Sequence, residues 1–115
     1  MSKIALGTVQ FGINYGISST NGKVKSKEVE NILNYAYSKN IDLLDTAPAY
    51  GDSEKILGKA TVQRFKIVTK TRCFDSLEIK NNDIKLLNSD FHHSLKYLKQ
   101  DSVYGLLIHN ADDLL

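Results

Sequence analysis

The chain has 115 residues, 42% of them hydrophobic and 24% charged, the make-up of one globular domain over 1–115 with a single core. Its net charge is only +2, with 15 Lys and Arg spread among 13 Asp and Glu, so the concentrated positive field that nucleic acid requires is missing. The longest apolar runs are a few residues, far below the roughly 20 that span a bilayer, and no signal-peptide core precedes them, which excludes a membrane role and points to the cytoplasm.

The segment "KIALGT", 3 to 8, is short, apolar and stopped by Gly7, as a buried strand should be. A glycine-punctuated loop follows, with a small hairpin expected around Asn21-Gly22. Ser26 then caps a helix that carries Glu28 in its first turn. Val29, Ile32, Leu33 and Ala36 repeat at the spacing of one buried face, and the helix runs to about Asn40. "IDLLDT", 41 to 46, is a second strand. A second helix begins near Asp52 or Ser53 with Ile56, Leu57 and Ala60 inward, and Glu54 in its first turn complements the helix dipole. "FKIVTK", 65 to 70, is a third strand. Phe91, Leu95 and Leu98 mark a helix starting near Ser89, with an earlier turn around Ile84 and Leu87, and "SVYGLLIH", 102 to 109, is a fourth strand.

Strand and helix alternating in this way imply a parallel sheet with right-handed crossovers. Two α/β architectures fit, an open doubly wound sheet and a (β/α) barrel, and both place functional groups at the carboxyl ends of their strands. The stretch "GTVQFGIN" has the glycine spacing of a phosphate-binding loop but lacks its lysine and hydroxyl, which disfavours a flavodoxin-like nucleotide binder.

The residues at the four strand ends are Thr8, Asp45, Lys70 and His109. A carboxylate at the end of an apolar strand needs compensation for its lost hydration, and Lys70 one strand along can supply it. Neighbouring strands lie about 5 Å apart, so these groups can converge, with Tyr50 looping back over them. A phenol, with an ordinary pKa of about 10, gives up its proton reluctantly, and an adjacent ammonium makes that easier. His109 can donate a hydrogen bond to a carbonyl oxygen arriving between itself and Tyr50. The set suits reduction of an aldehyde or ketone, with Tyr50 protonating the developing alkoxide.

Together, "LGT" at 6–8, "DTAPAYGDSE" at 45–54, "VTK" at 68–70 and "LLIHN" at 106–110 resemble the aldo/keto reductase family. The resemblance implies the N-terminal half of a (β/α)8 TIM barrel, with about four parallel strands. It implies NADPH as hydride donor, a small-molecule carbonyl substrate, Tyr50 as acid, and Asp45, Lys70 and His109 as its supports. Gly7, Thr8 and Asp45 would lie along the cofactor, Asp45 against the nicotinamide ribose. The opening "GTVQFGINYGI" is similar to bacterial members linked to sugar or cell-envelope metabolism.

Members of the family continue through four more βα units, so the chain is expected to be the N-terminal part of a longer protein. Half a barrel leaves two unpaired strand edges, which favours a homodimer or a complementing C-terminal half. A catalytically silent barrel half, acting as a binding or regulatory module, is the alternative.

Other polar and aromatic residues are assigned structural roles. Cys73 is the sole cysteine, which excludes an internal disulfide and a zinc cluster and leaves a reduced structural thiol. His92 and His93 are adjacent on a helix, about 100° apart and so unlike a metal pair; they are assigned to the surface or the edge of the core, and no metal site is expected. Tyr15, Tyr35, Tyr37, Tyr97 and Tyr104 are assigned to packing, with Tyr15 also near enough to the first strand end to line a substrate pocket.

Overall fold

Each of the four apolar blocks becomes a strand of one sheet. The computed structural model describes residues 3–14, 22–60, 62–75 and 78–114. Its elements are β1 (Leu6–Gly7), α1 (Val9–Gly12), α2 (Ser26–Ser38), β2 (Leu43–Asp45), α3 (Ser53–Lys59), β3 (Lys66–Lys70), α4 (Asn81–Leu98), β4 (Gly105–Leu107) and a closing 3-10 turn, Ala111–Leu114. The sheet runs β1-β2-β3-β4 with every pair parallel, the arrangement expected of the first half of a (β/α)8 barrel.

The register decides which side chains meet. Gly7 pairs with Asp45, Asp45 with Val68, Val68 with Gly105, and Lys70 with Leu107. Register partners share a face, as do residues two apart on a strand, so Gly7, Asp45, Val68 and Lys70 all lie on the concave face. Leu44, Ile67 and Thr69 lie on the opposite face and are buried beneath the helices. There Leu44 and Ile67 join Val29 and Leu33 of α2, Leu57 of α3 and Leu98 of α4 in the main core. Burying such a side chain contributes about 1.5–3 kcal/mol, so this outer layer carries most of the stabilisation. No helix among the described residues is long and apolar enough to cross a membrane.

Several elements differ from the sequence expectation. The segment after β1 is not all loop: Val9–Gly12 make one helical turn that buries Phe11, too short to show any periodicity. The hairpin expected at Asn21-Gly22 falls partly outside the described residues, as does Tyr15. Ser26 does not cap α2. Lys25 holds that position in an extended conformation, its carbonyl accepting from Val29 N, and Ser26 is already helical. The helix stops at Ser38, and Asn40 follows in the left-handed region at φ 61°.

The longest helix begins at Asn81 rather than Ser89 and takes in the earlier turn expected around Ile84 and Leu87. Its first turn is set by a cap, Lys80 N donating to the Asp83 carboxylate at 2.8 Å, and its early turns are solvated, with Ile84 exposed. A cap without an apolar stripe gives little periodic signal. Tyr35 and Tyr104 prove strongly exposed rather than packed, because they sit on outward faces, where Lys39 and Lys66 lie over their rings. Cys73 is exposed in the segment following β3 and is no core thiol. His92 and His93 are on the surface as expected.

Candidate active site

The loop between β2 and α3 folds tightly over the sheet. Thr46 N still donates to Val68 O at 2.9 Å, so the strand ends only one residue past Asp45. The chain then turns, Tyr50 N donating to Ala47 O at 3.1 Å and Ser53 N to Tyr50 O at 3.1 Å. Gly51 takes φ 56°, which a side chain would resist. Its partner in the turn is Gly12, whose missing Cβ lets the α1 backbone press against the Tyr50 carbonyl. Tyr50 is thereby held over the carboxyl ends of β2 and β3.

Lys70 Nζ donates to Asp45 Oδ1 at 2.7 Å and to the Thr46 carbonyl at 3.0 Å. Its side chain is only 13% exposed, whereas that of Asp45 is 36% exposed. A cation so far withdrawn from water requires partners, and these two acceptors supply them. The same ammonium lies 4.9 Å from the centre of the Tyr50 ring. His109 also stands against that ring, edge to face, with ring centroids 5.9 Å apart and planes at 77°. The backbone N of His109 donates to Thr71 Oγ1 at 3.3 Å, and its Nδ1 is buried without a hydrogen-bond partner among the described residues.

The structure therefore brings Asp45, Lys70 and His109 from the strand ends and Tyr50 from the loop after β2 into one cluster. Gly7 lies beside Asp45 in register. Thr8 is fully buried, and its hydroxyl donates inward to Asp45 O at 2.9 Å. Arg72, two residues beyond Lys70, makes a two-pronged ion pair with Asp90 that ties this strand end to α4.

Sequence reading overlooked a second polar layer directly beneath the site. Thr46, Ser53 and Glu54 are all buried and hydrogen-bonded. Their signal was present in outline: a Ser-Glu pair opening α3, and a threonine at or beside three successive strand ends. Glu54 was expected only to favour the helix dipole. Instead it is 4% exposed and accepts from Thr69 Oγ1 at 2.6 Å, with Ser94 of α4 also hydrogen-bonded to it.

Burial raises the pKa of Glu54 above its ordinary 4.5, opposed by the hydrogen bonds from Thr69 and Ser94. A carboxyl group whose folded pKa is raised favours the fold most below its unfolded value. That contribution is lost as pH rises through the folded one. Glu54→Gln, which cannot ionise, should thus gain stability relative to the parent between about pH 4 and neutrality. Urea unfolding of both proteins across that range measures it; a difference independent of pH would contradict the assignment.

The sequence model of the Aldo/keto reductase family matches residues 3–114. No curated protein matches the chain. Two solved structures assigned as aldo-keto reductases from Pseudomonas aeruginosa are similar to it. One is 30% identical, with a TM-score of 0.76 over 93% of this chain and 42% of its own length; the other is 31% identical, with a TM-score of 0.74 over 93% and 41%. The crystal structure of a protein assigned as 2,5-diketo-D-gluconic acid reductase B shares the fold at 22% identity, with a TM-score of 0.61 over 91% of this chain and 32% of its own. The chain spans about two-fifths of the length of the Pseudomonas structures that it matches. With a parallel four-stranded sheet and the family pattern over nearly every residue, this chain belongs to the aldo/keto reductase family.

Proposed function

We propose that the protein containing this chain reduces an aldehyde or ketone of a small molecule to an alcohol, with NADPH as reductant, in the cytoplasm. The observation that carries the proposal is the position of Lys70 Nζ, 2.7 Å from the Asp45 carboxylate and 4.9 Å from the centre of the Tyr50 ring. An ammonium there stabilises negative charge on the phenol oxygen as its proton departs. Asp45 keeps the ammonium oriented. Tyr50 Oη gives its proton to the substrate oxygen, and His109, beside the ring, donates a hydrogen bond to that oxygen as its charge grows.

The residues present suit the nicotinamide end of such a cofactor. A Cβ at Gly7 would meet nothing within 4 Å, so the concave face is open beside Asp45, and the half-exposed carboxylate of Asp45 offers an acceptor to a ribose hydroxyl. Gly7 and Asp45 would line that end; Thr8, expected beside the cofactor, is fully buried with its hydroxyl and backbone N both spent on Asp45 O, so it can only hold that strand end in place. When bound, the nicotinamide supplies the hydride. This chain's own groups supply the proton, hold the carbonyl oxygen and keep the lysine charged.

A second reading is a binding or regulatory module, and the exposed apolar side chains at the β4 edge favour it. Leu106, Leu107 and Ile108 are each about half exposed, a surface suited to a second copy or to a complementing C-terminal half. Titration of nicotinamide fluorescence separates the two. Submicromolar NADPH binding, with turnover of a carbonyl lost in Tyr50→Phe while binding persists, is the result expected for the reductase. Absence of NADPH binding, even in a dimer, would leave the module.

A further inference from the structure

The buried hydroxyls below the site form a directed chain. Thr8, Thr46 and Ser53 are each 0% exposed, one residue beyond β1, one beyond β2 and at the first position of α3. Ser53 Oγ lies 2.9 Å from Thr8 Oγ1, 3.0 Å from Thr46 Oγ1 and 3.1 Å from the Thr8 carbonyl. A hydroxyl has one proton to give, which limits the assignments. The Thr8 hydroxyl donates to Asp45 O, so the Ser53 hydroxyl donates to Thr8, and the Thr46 hydroxyl donates to Ser53. In this direction all three groups are satisfied away from water.

We infer that Ser53 is a positioning residue for the reduction site, holding through its one oxygen the strand ends that carry Asp45 and the lysine's backbone acceptor. The inference rests on the reductase reading above. Thr46, whose hydroxyl ends on Ser53, presents its carbonyl to Lys70 Nζ at 3.0 Å. Thr8, bonded to the other side of Ser53, fixes the Asp45 carbonyl through both its backbone N, at 3.0 Å, and its hydroxyl, at 2.9 Å. The backbone N of Ser53 in turn holds the Tyr50 carbonyl. One residue thus reaches the acid, the amine and the phenol from below, while its own side chain, fully buried, touches no substrate. The neighbouring Glu54 extends the clamp to Thr69, next to Lys70 on β3.

Loss of the Ser53 hydroxyl leaves the buried Thr46 hydroxyl without its acceptor, and the backbone shift that brings it a new partner moves the carbonyl that seats Lys70. The test compares Ser53→Ala and Thr46→Val, which delete the same bond from opposite ends, in the full-length protein. Each should lower kcat about tenfold with KM for the carbonyl within about twofold, since the defect lies in proton delivery rather than binding. Independently of turnover, the Lys70 ammonium, observed by nitrogen-proton NMR, should exchange its protons with water faster in both variants than in the parent. Tyr50→Phe serves as the control. If it retains turnover, the reductase reading fails and the NMR arm still decides the hold on Lys70. If Tyr50→Phe is dead while both hydroxyl variants keep the parental kcat and ammonium exchange, with only a lower melting temperature, Ser53 is merely structural and the inference is wrong.

Discussion

Lys70→Met should lose carbonyl turnover by about 100-fold or more, the scale of a removed proton-transfer partner, with unchanged helix content. Methionine keeps the length and apolar body of the stem, so the packing of the β3 end is retained. What disappears is the charge: the donor to Asp45 Oδ1 and the Thr46 carbonyl, and the cation 4.9 Å from the centre of the Tyr50 ring. Asp45, left alone, is 36% exposed and can recover hydration, which limits the cost in stability. Steady-state rates with a carbonyl substrate, alongside far-ultraviolet circular dichroism, measure both halves of this expectation. Parental turnover in a folded Lys70→Met protein would remove Lys70 from the mechanism.

Gly12→Ala should be the most damaging of single-methyl additions near the site. A Cβ on Gly12 would stand 1.6 Å from the Tyr50 carbonyl oxygen and 2.7 Å from Ser53 N, both backbone atoms that cannot rotate aside. Either α1 leaves the core, exposing Phe11, or the 50–53 turn lifts and takes Tyr50 with it. We expect a loss of about 3 kcal/mol, at the upper end for overpacking, and a fall of about 1–3 M in the urea midpoint. Turnover at low temperature, where the variant remains folded, should fall as well because Tyr50 is displaced. An unchanged urea midpoint would mean that the α1–loop contact is far looser than these distances imply.

The strand ends were the most legible part of this protein. Asp45, Lys70 and His109 each follow an apolar run, and an ionisable group in that position is conspicuous because burial there is costly without a partner. The alternation of short apolar runs with helix-period stripes was equally clear, since a run bounded by polar residues stands out even where the strand is as short as β2. Elements without such a stripe were less legible: the single turn of α1 was missed, and of the solvated opening of α4 only the turn around Ile84 and Leu87 was seen, not the cap at Lys80 and Asp83 that starts it. The outward tyrosines were misassigned for a related reason, as an aromatic residue reads as core wherever its facing direction is not known.

By itself the sequence determined the order of elements, the parallel sheet and which residues would stand at its carboxyl edge, because hydrophobic periodicity is a local property. The tertiary structure alone decided the two-residue stagger that levels Lys70 with Leu107 while Asp45 pairs with Val68, the Gly12 contact that holds Tyr50, and the hydroxyl chain through Ser53. These depend on which strands become neighbours and at what offset. Threonine and serine, equally at home in a turn, a cap or a buried network, carry no mark in the sequence of the partner they will find.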